Sequence, residues 1–174
     1  MDLHPVDPRE ISTRLLSLTG NGFGALLTAG TAEHCNTMTI GWYQMGVLWN
    51  TLVCTAYVRP ERYTYGFMEE HSYFTISAFL HSPEASKTLG LCGSRSGRDT
   101  DKITDCGLTV CTGAGGAPYF QEAELVLVCK KLYAQDLDPA AVCDAGKERI
   151  LPFYGAHGNW HRAYTGEVVE AYSK

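Results

Sequence analysis

The feature that most constrains this fold is a missing strand–helix–strand rhythm. From residue 25 onward, β-type runs at 25–29, 35–43, 48–58, 73–79, 108–112, 124–136 and 164–170 hold much of the β-branched and aromatic content, and only short amphipathic stretches separate them. A doubly wound parallel sheet needs a helix between successive strands, so this order excludes it. About six or seven strands with short helices predict a mainly β fold, a barrel, with no repeat, low-complexity tract or linker dividing residues 1–174 into more than one domain. The run at 48–58 has apolar or small residues on both faces, as expected of a strand covered on both sides. Before it, a turn is predicted over 44–50 with Gly46 as its hinge.

The helical stretches are short. Residues 7–18 carry Asp7 as N-cap, Pro8 at the first position, and Ile11, Leu15 and Leu16 on one face. A second helix is predicted over 61–70, with Tyr63 and Phe67 one turn apart. Ser82 and Pro83 start a third, which Gly93 stops; a short one covers 101–105, and Asp138-Pro139 caps another to about Ala145. Residues 147–160, rich in Gly and aromatics, read as loop.

With 174 residues and 45% hydrophobic content, the chain can bury roughly two thirds of its unfolded surface in one core. Its formal charge of -5 and scattered Lys and Arg supply no field for nucleic acid or an anionic membrane. The N-terminus carries acids where a leader has a basic stretch and an apolar run, and no apolar segment approaches spanning length. A soluble, cytoplasmic protein is expected. Seven cysteines, odd in number and without a Cys-x-x-Cys pair, suit reduced thiols in that compartment.

Three stretches hold the polar chemistry. The first, Arg59-Pro60-Glu61-Arg62-Tyr63-Thr64, stands where the apolar run ends and a helix begins. Pro60 fits the first helical turn, and a helix N-terminus with two arginines and a hydroxyl suits a phosphate. The same residues also read as a plain helix start with solvated arginines. In the second stretch, Asn36 to Trp42, Met38, Ile40 and Trp42 alternate with Thr37, Thr39 and Gly41, so one face packs while the other is small and polar. A flat heterocycle can lie on such a face, although threonines also simply favour strands. The third, Cys92 to Lys102, is dense in hydroxyls, glycines and cations. Its Ser-x-Ser-Gly order can form a backbone anion cradle with Lys102 as counter-charge, or a surface loop.

Other chemistries find little support. Gly113-Ala114-Gly115-Gly116 is followed by a strand where a dinucleotide loop needs a helix, so it reads as a turn. No Gly-x-Ser-x-Gly elbow occurs. Glu69-Glu70 reads as a solvated helix end, and the spacing of His157 and His161 spans Gly158 and Asn159, against a helical zinc pair.

In order and spacing the three stretches, with the closing Tyr164-Thr165-Gly166-Glu167-Val168, resemble the flavin reductase-like, FMN-binding split-barrel family, including its flavoredoxin-type members. The likeness spans about residues 20–172. It implies a split β-barrel that forms a homodimer, with FMN in a groove at or near the subunit interface. It places Asn36, Met38 and Thr39, with Thr37 in the same stretch, against the ring and ribityl chain. Arg59 and Thr64 fall on the phosphate, Thr55 and Ala56 along the groove, and Ser94, Ser96 and Lys102 over the phosphate end. His157 and Trp160 fall over the flavin. Gly41 stands where the family often has serine, and residues 136–161 are less regular than its usual close.

The implied function is an oxidoreductase of flavin reductase type in which NADH or NADPH reduces FMN and the flavin passes electrons to an acceptor. Because the cofactor performs the chemistry, no protein acid, base or nucleophile is required. The alternatives are a flavoredoxin-like electron carrier, reduced by a redox partner protein, and a binding module using the groove for another small molecule.

Overall fold

The computed structural model describes residues 2–20, 22–155 and 158–174. Chain order begins with β1 (His4–Pro5), α1 (Ser12–Thr19), β2 (Ala25–Gly30), β3 (Cys35–Ile40), β4 (Tyr43–Leu48) and β5 (Thr51–Val58). It continues through α2 (Tyr63–Glu70), β6 (Tyr73–Ala78), α3 (Pro83–Ser94), α4 (Lys102–Asp105), β7 (Val110–Thr112) and β8 (Pro118–Phe120). Last come β9 (Leu125–Asp136), α5 (Asp144–Ile150) and β10 (Arg162–Ser173).

One sheet runs β3-β2-β6-β9-β10-β5-β4, antiparallel throughout, with β1 against the far end of β10; β7 and β8 form a separate hairpin. The long β10 binds β9 along its length and β5 over Arg162 to Glu167, so it joins the two halves. Among the described residues, the end strands β3 and β4 do not pair with each other, and the sheet stays open as a split barrel.

Two packed clusters explain the strand patterns. Leu125, Leu127 and Cys129 of β9 join Leu15, Leu27, Met68, Phe74, Ile76 and Tyr164 in one core. The alternate residues Val126 and Val128 face Leu26, Leu89 and Phe120 beneath α3 and the β7–β8 hairpin. The first half of β9 is therefore the strand covered on both faces. β5 buries Cys54, Ala56 and Val58 but leaves Thr55 and Tyr57 half-buried, so the double coverage expected of it is not observed.

Several boundaries move. The turn predicted over 44–50 is strand β4, and the reversal falls at Trp49 and Asn50, both with positive φ (52° and 59°). Gly46 sits within β4, opposite Val53. A two-residue hairpin needs left-handed backbone at both tip positions to match strand twist, and Asn50 tolerates it well. α1 begins at Ser12, after a 3-10 turn capped by Asp7, and buries Leu15 and Leu18 while Leu16 faces solvent. Asp138 caps a 3-10 turn at Pro139–Ala141 in place of the expected helix, α5 starts separately at Asp144 and runs to Ile150, and a 3-10 turn at Leu151–Phe153 follows, so the segment read as loop from 147 is partly helical. Glu69 and Glu70 end α2 exposed, as read, and Glu69 in addition accepts the Tyr164 hydroxyl and lies 3.1 Å from Arg162 Nε.

Candidate functional site

α2 starts two residues later than predicted. Pro60 and Glu61 lie in a turn in which Arg62 N donates to Arg59 O (3.0 Å), and Arg62 is the N-cap, with no side-chain hydrogen bond capping the helix. The first-turn N–H groups of any α-helix lack intrahelical acceptors. Beside this turn is a cavity of about 250 Å³ lined by Met38, Glu61, Arg62, Tyr63, Thr64, Cys92, Ser94, Arg95, Ser96, Arg98 and Lys102. Four cations face one carboxylate, and Asn159 donates to that carboxylate. The donor set suits a dianion.

Lys102 lies deep in this corner. It is 5% exposed, and its Nζ donates to the carbonyls of Thr37 (2.9 Å) and Cys92 (3.0 Å). Burial, with Arg62 adding, lowers its pKa, while Cys92 and Cys106 oppose that shift. Arg98 stacks 4.9 Å over the Tyr63 ring and donates to Glu61 O (3.3 Å). Gly97 must be glycine, because a Cβ there would fall 1.9 Å from Asn36 Oδ1 and 2.9 Å from the Tyr63 ring. The predicted loop begins one residue later than expected: Ser94 closes α3 and donates to Gly90 O (2.8 Å), while Ser96 Oγ accepts from Arg98 N (3.2 Å).

A second cavity, of about 310 Å³, adjoins the first and shares Met38 and Arg62 with it. It is lined by Thr39, Ile40, Gly41, Trp42, Tyr57, Arg59, Phe153 and His161. Trp42 meets Phe153 edge-on at 5.1 Å and packs tilted against His161 at 4.8 Å. His161 Nδ1 pairs with the Tyr154 hydroxyl (3.0 Å). Burial first, then Arg59 and Arg62, push the imidazole pKa down to about 4, so the ring is neutral near pH 7. Together the cavities make a groove with a cationic end and a mixed apolar and aromatic end.

The predicted residues divide. Thr64, Ser94, Ser96 and Lys102 line the cationic corner, Met38 lines both cavities and Thr39 the second, whereas Asn36 and Thr37 line a separate cavity of about 530 Å³ that shares Tyr63, Arg98 and Lys102 with the corner. The threonine face of β3 is not an open shelf, however. Thr39 Oγ1 donates to Leu89 O of α3 (2.6 Å), and buried Thr37 exchanges hydrogen bonds with Thr28 and Leu27 O of β2. Asn36 Nδ2 donates to Thr64 Oγ1 (2.7 Å), tying β3 to α2. Met38, from the face expected to pack, borders both cavities.

Arg59 lines only the second cavity; its Nη2 donates to Phe153 O (2.7 Å) and its guanidinium lies 5.5 Å from the Tyr154 ring centroid. Arg62, three residues on, is the arginine shared by both cavities. Ala56 is fully buried in the core, and Thr55 pairs its hydroxyl with Thr165 (2.9 Å), so neither borders the groove. Trp160 stacks on Tyr154 at 3.9 Å, and the groove wall comes instead from Phe153 and His161. His157 lies outside the described residues. Sequence reading noted Arg62 as a cation but missed Tyr57, Arg95, Arg98 and His161 as wall residues. The alternation of β5 puts Tyr57 on the face opposite Ala56 and carried a signal; the others depended on chain folding.

The sequence pattern of the flavin reductase like domain matches residues 23–173. No curated protein matches the sequence. Among solved structures, flavoredoxin from Methanosarcina acetivorans aligns at 24% identity and TM-score 0.66 over 87% of this chain and 68% of that one. An FMN-binding domain of a flavin reductases-like enzyme from Shewanella baltica aligns at 20% identity and TM-score 0.66 over 99% and 78%. An NADH:FAD oxidoreductase from Streptomyces globisporus aligns at 17% identity and TM-score 0.60 over 95% and 84%. At these identities the structural likeness shows the fold.

Proposed function

Because the chain belongs to the flavin reductase like domain family, we propose that its groove holds FMN and that the protein is an oxidoreductase passing electrons from NADH or NADPH through that flavin to an acceptor. The observation that carries this reading is that the two cavities are neighbours, with Met38 and Arg62 in the wall of both. A phosphorylated, flat heterocycle needs a cationic corner for its phosphate and an adjoining wall for its ring. The residues fit the group in chemistry, with Arg62, Arg95, Arg98 and Lys102 at the phosphate end and Met38, Trp42, Phe153 and His161 at the ring end.

Bound flavin supplies hydride acceptance and electron release. The chain's own residues bind, orient and exclude water. Arg62 and the first turn of α2 neutralise the phosphate, and Lys102 fixes β3 to the end of α3 so that the corner keeps its width. Neutral His161, held by Tyr154, offers a hydrogen-bonding edge without a competing positive charge. A homodimer fits the same reading, supported by the exposed apolar tip of the β4–β5 hairpin at Val47, Leu48 and Trp49, beside Tyr133.

The test is an absorbance spectrum of freshly purified protein, with and without added FMN, followed by NADH and NADPH oxidation. Flavin bands and rapid consumption of either nicotinamide are expected. A colourless protein that ignores added FMN overturns the reading. A yellow protein that only a partner protein can reduce makes it an electron carrier.

A further inference from the structure

Cys92, in the last turn of α3, and Cys106, just after α4, are separated by the segment that carries Ser94, Arg95, Ser96, Arg98 and Lys102. Their sulfurs lie 3.9 Å apart. We infer that Cys92 and Cys106 are a reversible dithiol–disulfide site that clasps the two ends of the anion-binding segment. Its consequence for the ligand rests on the flavin reading above; the bond itself does not.

Three observations converge. The sulfurs need to close only to the disulfide length of about 2.0 Å, and both are carried by short side chains at segment ends. Access is asymmetric: Cys92 is buried at the edge of the cationic cavity, whereas half-buried Cys106 borders a separate cavity of about 320 Å³ with Phe79, Leu80, Thr88 and Leu108. A small oxidant therefore reaches Cys106 first. Finally, Lys102 joins the pair to the site, since its Nζ donates to Cys92 O and its carbonyl accepts from Cys106 N. Cys54 and Cys129 are also neighbouring thiols, but both are fully buried among core side chains and border none of these cavities.

With hydrogen peroxide as oxidant the chemistry balances. Cys106 sulfur attacks one peroxide oxygen, an S–O bond forms, the O–O bond breaks, and the released hydroxide leaves as water with the thiol proton. Cys92 sulfur then attacks Cys106 sulfur, the S–S bond forms, the S–O bond breaks, and the second oxygen departs as water with the Cys92 proton. Two thiols lose two electrons and peroxide becomes two waters. The closed ring restricts Ser94 to Lys102 and so reduces the ordering that binding requires.

The full-length chain is titrated with hydrogen peroxide, remaining thiols are alkylated, and the peptides are mapped by mass. A single Cys92–Cys106 linkage, reversed by dithiothreitol and absent in Cys106→Ser, is expected. Cys92→Ala should accumulate a Cys106 sulfenic acid that dimedone traps. A map with no linkage, a linkage between other cysteines, or Cys106 driven to sulfinic acid while Cys92 stays alkylatable overturns the site. The linked protein should bind FMN about threefold more tightly or better than the reduced protein, with riboflavin unchanged. Equal FMN affinity in both redox states overturns the clasp, while FMN binding to neither state defeats the flavin reading and leaves a mapped disulfide standing.

Discussion

Arg59 and Arg62 are one turn of chain apart and serve different ends. Arg59 spends a donor on Phe153 O, whereas Arg62 borders both parts of the groove. Arg62→Ala should therefore weaken FMN by about tenfold or more, the loss of one charge-assisted contact of roughly 1.5 to 3 kcal/mol, and Arg59→Ala by less. Calorimetric titration with FMN and with riboflavin checks this, since only FMN has the phosphate. Equal losses for the two variants would place the anion elsewhere. Lys102→Met should also weaken FMN more than riboflavin. It leaves the Thr37 and Cys92 carbonyls without their donor, so stability in urea should fall by about 1 to 3 kcal/mol. His161 sets a pH dependence. Its pKa falls from 6.5 to about 4 on folding, so between those values the unfolded chain takes up a proton that the folded chain refuses. Stability is then greatest above pH 6.5 and declines as the pH drops toward 4, and His161→Gln should flatten that slope in urea midpoints.

At the scale of the element, β10 shows why a glycine stands in the closing motif. Gly166 lies at a register shift against β9, and a Cβ there would approach the Phe74 ring and Cys129 Cβ at 2.8 and 2.9 Å. Both neighbours are buried, so Gly166→Ala should cost about 1 to 3 kcal/mol by overpacking, read from the urea midpoint. An unchanged midpoint would mean that β10 moves freely against β6 and β9. The same element brings Arg162 to Asp136 and Glu69, fastening the end of the barrel from which the groove wall at His161 departs.

For the whole molecule, association and cofactor retention are linked if the groove lies at a subunit interface. The exposed Val47, Leu48 and Trp49 tip is the apolar surface that such contact would cover. Trp49→Glu should convert a dimer to a monomer in sedimentation velocity and lower FMN retention on gel filtration. A chain that sediments as a monomer before substitution would remove the homodimer from the proposal and leave the groove complete in one subunit.

The sequence by itself determined the mainly β class, the positions of most strands, and the helix starts at Ser82 and Asp101. Those follow from local periodicity, turn chemistry and capping, which neighbouring residues decide among themselves. Only the tertiary structure decided which side chains turn into the groove. The β3 threonines were drawn to carbonyls of β2 and α3, Ala56 was taken into the core, Arg59 was engaged by Phe153, and Cys92 was brought beside Cys106. Each of these depends on a partner far along the chain, and a polar side chain's direction is set by the nearest unsatisfied or apolar neighbour in space, which no local pattern encodes.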